Sequence, residues 1–241
     1  MLRAIFHQPK RTDTGRLAEA LKLMHAYADG VSRPIADAGK IAQKEFRFVL
    51  WTRSMITTLD ELEQSIYCAE MYMKRVQYDS LEQMSEEEAA DYRRHLYYYR
   101  NAVLRTFSTL DKLGSFINER YALGTERIKQ RYSYYTVLRR MHEMIREEKL
   151  SQQLQVIKQK YQDPMHNLRI MRNHEVHAMN GEMLDDEGHI RCYSDDCYEK
   201  IEDLTINMSV LQLGFVMVCE SVITVYKYLQ LQSQNRHGRR S

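Results

Sequence analysis

The sequence predicts an all-α protein, a multi-helix antiparallel bundle of long helices, and three observations carry that expectation. Only 9 Gly and 3 Pro punctuate 241 residues, too few for the turns that many short strands and hairpins need. Fourteen Met and seventeen Tyr are set among Glu, Gln, Arg and Leu, a mixture that suits packed helices. Helix-capping residues, with Gly or Pro at the ends, divide the chain into helix-length pieces. A β-sandwich, a barrel and a nucleotide fold built on Gly-rich loops are excluded. The 44% apolar fraction is ample for a core and excludes disorder for most of the chain.

The elements follow in order. Asp13 or Thr14 caps a first helix whose Leu17, Leu21 and Met24 share a face, ending at Gly30. Pro34 suits the first turn of a long second segment that runs through Trp51 towards Tyr78, with a break near Thr57 and Thr58. Ser85 and Glu88 form a capping-box pattern that opens a third helix reaching Leu123, before Gly124. A fourth helix, rich in Tyr and Arg, covers about 126–149 and beyond. Asp163-Pro164 is a cap-plus-first-turn signature, so a further helix spans about 163–180 and stops near Gly181. Residues 181–194 read as a loop or short hairpin. Ser194 or Asp195 caps a last long helix to about Leu231, and 232–241 is a flexible basic tail. No repeat, low-complexity tract or linker divides the chain, which reads as a single all-helical domain over 1–241.

Thirty-five basic against thirty-three acidic residues give a net charge of +2, so contact with nucleic acid needs a local patch rather than the whole surface. The first twelve residues hold no apolar stretch long enough for a signal peptide. The most apolar stretch, Val210 to Leu229, is interrupted by Gln212, Glu220 and Lys227; it reads as a buried core helix with no membrane role. Cys68, Cys192, Cys197 and Cys219 show no framework spacing, which suits reduced thiols and a cytoplasmic location. His189, Cys192 and Cys197 offer three soft ligands without a fourth at a familiar spacing, so no metal is expected. No cofactor is expected either.

The chemistry concentrates after Asp163-Pro164, in M-H-N-L-R-I-M-R-N-H-E-V-H-A-M-N, with three His, two Arg and three Asn in sixteen residues. The metalloprotease motif H-E-x-x-H fails here, because His174-Glu175-Val176-His177 brings the second His one residue early. What remains is Arg172-Asn173-x-x-x-His177. This resembles the R-x(4–6)-H signature of the HEPN superfamily in its common R-N-x-x-x-H form. The resemblance covers six residues and their helical setting. It implies metal-independent RNA cleavage at a homodimer interface where two copies of the motif meet. Arg172 and His177 then carry the reaction and Asn173 supports them. It also implies a role as a toxin or defence effector, often with a nucleotidyltransferase-like antitoxin as partner, or an inactive scaffold in members that have lost activity.

The residue types agree with that chemistry. RNA cleavage without metal needs a base for the 2′-hydroxyl, an acid for the leaving 5′-oxygen and positive charge at the phosphorane. A histidine with an ordinary pKa of about 6.5 supplies either protonation state near neutrality. An arginine offers a permanently charged fork of donors for phosphate oxygens. Residues five apart on a helix stand about 140° apart around its axis, so Arg172 and His177 do not stack, whereas Asn173 and His177 share a stripe with His166. That offset favours a composite dimeric site. His166 and Arg169 are auxiliaries, and His174 faces elsewhere.

A second set of residues suits a single-stranded RNA path. Arg127, Lys129, Arg131, Arg139 and Arg140 fall in an acid-free stretch with Tyr132, Tyr134 and Tyr135 interleaved, and bases stack on rings while cations follow phosphates. Arg93, Arg94, Tyr97, Tyr98, Tyr99 and Arg100 repeat that pairing. Met55, Met71, Met73, Met141 and Met144 read as core gap-fillers. The function expected from all this is a metal-independent endoribonuclease acting on single-stranded RNA. The rival is an inactive helical module that binds RNA, a nucleotide or a protein through the same face.

Overall fold

A computed structural model of the chain describes residues 2–32, 39–177 and 200–237, with side chains over 2–30, 43–173 and 200–235. Helix formers interrupted by few breakers give seven α-helices and no strands among the described residues. They are α1 (Gly15–Ser32), α2 (Gly39–Met73), α3 (Glu86–Arg120), α4 (Tyr134–Glu143), α5 (Glu148–Lys160), α6 (Gln162–His177) and α7 (Leu204–His237). The all-α class is the predicted one. The described sheet-like pairing is one isolated bridge between Ser80 and Lys200, next to which the Ile201 amide donates to the Asp79 carbonyl at 2.8 Å.

Local chemistry explains where the helices meet or miss expectation. Pro34 lies outside the described residues. α2 shows no break at Thr57 or Thr58, because their hydroxyls donate to the carbonyls of Arg53 at 3.3 Å and Ser54 at 2.9 Å, one turn back, and so stay satisfied inside the helix. It stops at Met73, short of Tyr78. At the start of α3 the Glu88 amide donates to Ser85 Oγ at 3.2 Å, as the capping pattern predicts. The Glu88 carboxylate instead accepts the amides of Gln77 and Tyr78, at 2.6 and 2.9 Å, fastening the preceding turn.

The expected single helix over 126–149 is replaced by a short turn at Thr125–Arg127, then α4 and α5. Ser133 and Thr136 form a capping box at the start of α4, and Asp111 Oδ1 accepts the Tyr134 amide at 2.8 Å. Ile145 and Glu147, both with φ near +50°, prevent α4 from continuing into α5. One residue, Tyr161, separates α5 from α6. Asp163 and Pro164 lie in the first turn of α6, where a missing amide proton costs nothing. The predicted end near Gly181 and the loop or hairpin at 181–194 lie outside the described residues. The last helix starts later than expected: Asp203 Oδ1 accepts the amides of Thr205 and Ile206 at 3.0 and 2.9 Å, so the cap is Asp203 rather than Ser194 or Asp195. α7 runs past Leu231 to His237, which makes most of the expected tail helical.

The residues group into two compact units. The first comprises 1–11, 62–105 and 163–214, the second 12–61, 106–162 and 215–241. In the first unit Phe6, Cys68 and Tyr72 form a small core against which Tyr67 and Tyr98 pack, with Phe6 edge-on to Tyr67 and Tyr72. Burial would raise the Glu63 pKa, but hydrogen bonds from Arg3 and Arg11 outweigh it and hold the carboxyl below its usual range. Met165 and Leu168 of α6 and Met208 and Leu211 of α7 are buried in this unit.

The second unit is built on an aromatic nest of Tyr27, Phe48, Phe116 and Tyr226, in edge and tilted contacts. The Tyr226 hydroxyl meets Thr52 Oγ1 at 2.8 Å. Tyr134 is wholly buried and donates to Ser221 Oγ at 3.2 Å. Its backbone runs so close to α3 that a Cβ at Gly114 would stand 2.9 Å from Tyr134 Cα. α7 is long and apolar enough to cross a membrane, and most of its apolar window is buried within the protein. Glu220 in that window is also buried; Lys160 Nζ donates to both its carboxylate oxygens, at 3.0 and 3.3 Å, and Arg16 pairs with it at 3.0 Å.

Candidate active site

Helix α6 divides its faces by register. Tyr161, just before it, and Met165 and Leu168 are buried, while His166, Asn167, Arg169, Ile170 and Asn173 are exposed. Arg172 is half-buried at the seam between the faces. Its guanidinium Nη2 donates to Asn173 Oδ1 at 2.9 Å. The side chain therefore leans from its own position onto the stripe of Asn173. Position 177 follows four residues later on that stripe and His166 precedes it by seven. The α6 backbone extends through His177; the side chains of His174 and His177 lie outside the described ones.

Beside this helix is a cleft of about 240 Å³, lined by Leu96, Tyr99, Arg100 and Val103 of α3, Ile170 and Met171 of α6, and Glu202. The Tyr99 hydroxyl donates to Met171 Sδ at 2.9 Å, and burial raises its pKa far above the ordinary tyrosine range. Glu202 Oε2 accepts the Asn207 side-chain amide at 2.6 Å. Behind the cleft, His95 is fully buried and stacks on Tyr99 with centroids 5.8 Å apart. Its Nδ1 donates to the Ala69 carbonyl at 2.8 Å. Nε2 has no partner among the described residues. Burial lowers the His95 pKa, against the smaller opposing pulls of Ala69 and Glu202, which favours the neutral ring.

Other residues of α3 line a second cleft. Tyr97 is 66% exposed, and Arg93, one turn earlier, is exposed too. With Tyr72, Ala90, Arg94 and Tyr98 they line a broad surface cleft of about 450 Å³, floored by Tyr72 and Tyr98 stacked at 5.8 Å and 10°. Arg94 is held by Asp91 at 2.5 Å.

The other basic-aromatic segment, in the second unit, is arranged differently. Arg127, Lys129, Arg131 and Arg139 are exposed. Arg140 is half-buried, its Nε donating to the Leu123 carbonyl at 3.3 Å, and both Arg139 and Arg140 approach Glu143 at 3.9 Å. Tyr134 has no exposed surface, which corrects its expected role as a stacking platform for RNA. Tyr135 is half-buried, with its hydroxyl 3.9 Å from Met217 Sδ.

A family model described as Cthe2314-like HEPN matches residues 51–230, well over half of the chain. The chain belongs to the HEPN superfamily. No curated protein and no solved structure matches it. HEPN domains are often associated with ribonuclease activity, and the matched span of this HEPN chain contains α6 with Arg172, Asn173 and His177. Among the described residues no group of three or more His, Cys, Asp or Glu could hold a metal ion; His189, Cys192 and Cys197 lie outside them. Burial pushes the Cys68 and Cys219 thiols up to about 11 and about 12, too high for a nucleophile at neutral pH.

The α3 side of this region carries the second basic-aromatic set that the sequence offers. Arg93, Tyr97 and Arg100, at i, i+4 and i+7, were legible as a helical stripe. The wall contributed by Glu202 was not, because it arrives from a segment thirty residues beyond the motif.

Proposed function

We propose that this HEPN chain is a metal-independent endoribonuclease acting on single-stranded RNA. The observation that supports it best is the Arg172–Asn173 hydrogen bond. It carries the guanidinium across the helix to the stripe that leads to position 177, and so reduces the 140° offset that the spacing alone imposes. In this reading His177 takes the proton of the 2′-hydroxyl, whose oxygen attacks the adjacent phosphorus. Arg172 neutralises the charge that develops on the phosphorane oxygens, and Asn173 positions Arg172. The 5′-oxygen leaves with a proton, giving a 2′,3′-cyclic phosphate and a free 5′-hydroxyl. In an in-line displacement the attacking and leaving oxygens stand on opposite sides of the phosphorus, so a homodimer that brings a second, protonated His177 to give the 5′-oxygen its proton completes the site. A cytoplasmic toxin or defence effector, restrained by a nucleotidyltransferase-like antitoxin, is the biological setting this activity fits.

The test is cleavage of labelled single-stranded RNA in EDTA by the wild type and by Arg172→Ala, Asn173→Ala and His177→Ala. Cleavage persists in EDTA, ends in cyclic phosphate, and falls about 10²–10⁴-fold without His177, with a smaller loss for Asn173→Ala. Cleavage abolished by EDTA, or unchanged in His177→Ala, overturns the mechanism. RNA binding without cleavage in the wild type means a scaffold instead.

A further inference from the structure

We infer that the cleft between α3 and α6 is a nucleobase subsite that selects guanine, placing the nucleotide it holds beside the Arg172 motif; this deepens the ribonuclease reading and rests on it. One wall is made by Ile170 and Met171, the two residues that precede Arg172 on α6, so a base lodged there is joined by its own backbone to a phosphate near the guanidinium. Leu96, Val103, Ile170 and Met171 give the cleft apolar walls that accept the faces of a planar ring. At about 240 Å³ it takes one base, not a run of them. Specificity comes from the carboxylate of Glu202.

That carboxylate fits one base best. An ionised carboxylate only accepts. Guanine carries two neighbouring donors, N1–H and the N2 amine, on its Watson–Crick edge. Adenine and cytosine each place an acceptor beside their single amine, which a carboxylate repels. Uracil places its one N–H between two carbonyls. The Asn207 amide occupies part of Oε2 of Glu202 and fixes the carboxylate, and each carboxylate oxygen has capacity for more than one donor.

The experiment separates binding from cleavage. Equilibrium dialysis of the full chain with the 3′-monophosphates of guanosine, adenosine, cytidine and uridine is expected to rank guanosine at least tenfold tighter than the others. Glu202→Gln, which exchanges an acceptor for a donor at an exposed position, removes that preference while the circular dichroism spectrum and melting curve stay as in the wild type. Ile170→Trp, at the exposed rim, fills the cleft and weakens all four. Equal binding of the four nucleotides, or a guanosine preference that survives Glu202→Gln, overturns the subsite whether or not the protein cleaves RNA. A guanosine preference lost in Glu202→Gln supports it even if His177→Ala leaves cleavage unchanged, so the two readings fail separately. In the active protein, cleavage falls next to guanine and loses that position dependence in Glu202→Gln.

Discussion

Two segments of this chain mix arginine with tyrosine, and the fold uses them in opposite ways. In Arg127 to Arg140 the central ring, Tyr134, is sealed in the core against Ser221, and two of the five cations lean on Glu143. Along α3 the ring of Tyr98 stacks on Tyr72 of α2 to form a floor, while Tyr97 stands in solvent beside Arg93. Composition is nearly the same in the two places. Register decides the difference: α4 is short and capped, so Tyr134 at its first position is fixed inward. α3 is long enough to present one face to the core and another, one turn wide, to solvent. A fully exposed ring beside a cation is therefore found on α3, whereas the exposed Arg127, Lys129 and Arg131 have only the half-buried Tyr132 and Tyr135 near them in sequence.

That contrast can be broken by substitution, and the largest effect is expected at its buried end. Tyr134→Ala removes a fully buried ring and is expected to cost about 3–5 kcal/mol of stability, read from urea unfolding; a loss under 1 kcal/mol would place the ring outside the core. Gly114→Ala attacks the same packing from α3. Its new methyl meets the Tyr134 backbone at 2.9 Å, which a flexible side chain could avoid and a backbone cannot, and about 1–3 kcal/mol is lost. Tyr97→Ala should leave the unfolding curve within about 0.5 kcal/mol of the wild type. It should nonetheless weaken single-stranded RNA binding by the value of one stacked base, about 1–3 kcal/mol; unchanged affinity would remove α3 from the path.

The smallest effect concerns His95 and acts through pH. Its folded pKa is lowered from 6.5, so the unfolded chain binds a proton that the folded chain refuses. Stability from this group is full above about 6.5 and declines as pH falls from there towards the folded pKa. Urea midpoints measured at pH 7.5 and pH 5 should differ less in His95→Gln than in the wild type. An equal difference in the two proteins would show that another group carries the acid sensitivity.

Where a rule acts within one turn of helix, the sequence was readable. Asp163-Pro164 announces α6 to within a residue or two, Ser85 opens α3, and Arg172, Asn173 and His177 are spelled out side by side. Where the deciding contact comes from elsewhere in the chain, it was not. Nothing local to Tyr134 says that Asp111 accepts its amide and fixes the start of α4. Nothing near Ile145 or Glu147 announces a left-handed backbone, since neither is Gly or Asn. The start of α7 was misplaced because Ser194, Asp195 and Asp203 are all competent caps, and only the structure shows which carboxylate accepts the amides. The lean of Arg172 towards Asn173 belongs to the same class: spacing gives the 140°, and the side-chain torsions then shorten it.

The two buried thiols have a use that chemistry alone supplies. Cys68 belongs to the first unit and Cys219 to the second, and each is shut away from water with its thiolate suppressed. A thiol in that state reacts with a disulfide reagent only when the structure around it opens, at a rate set by the free energy of that opening. With Cys192→Ser and Cys197→Ser in place, the chain carries one internal clock per unit. If the two clocks run at one rate, the units open together; if Cys68 runs ahead, the half that carries the Arg172 motif breathes while the other stays closed.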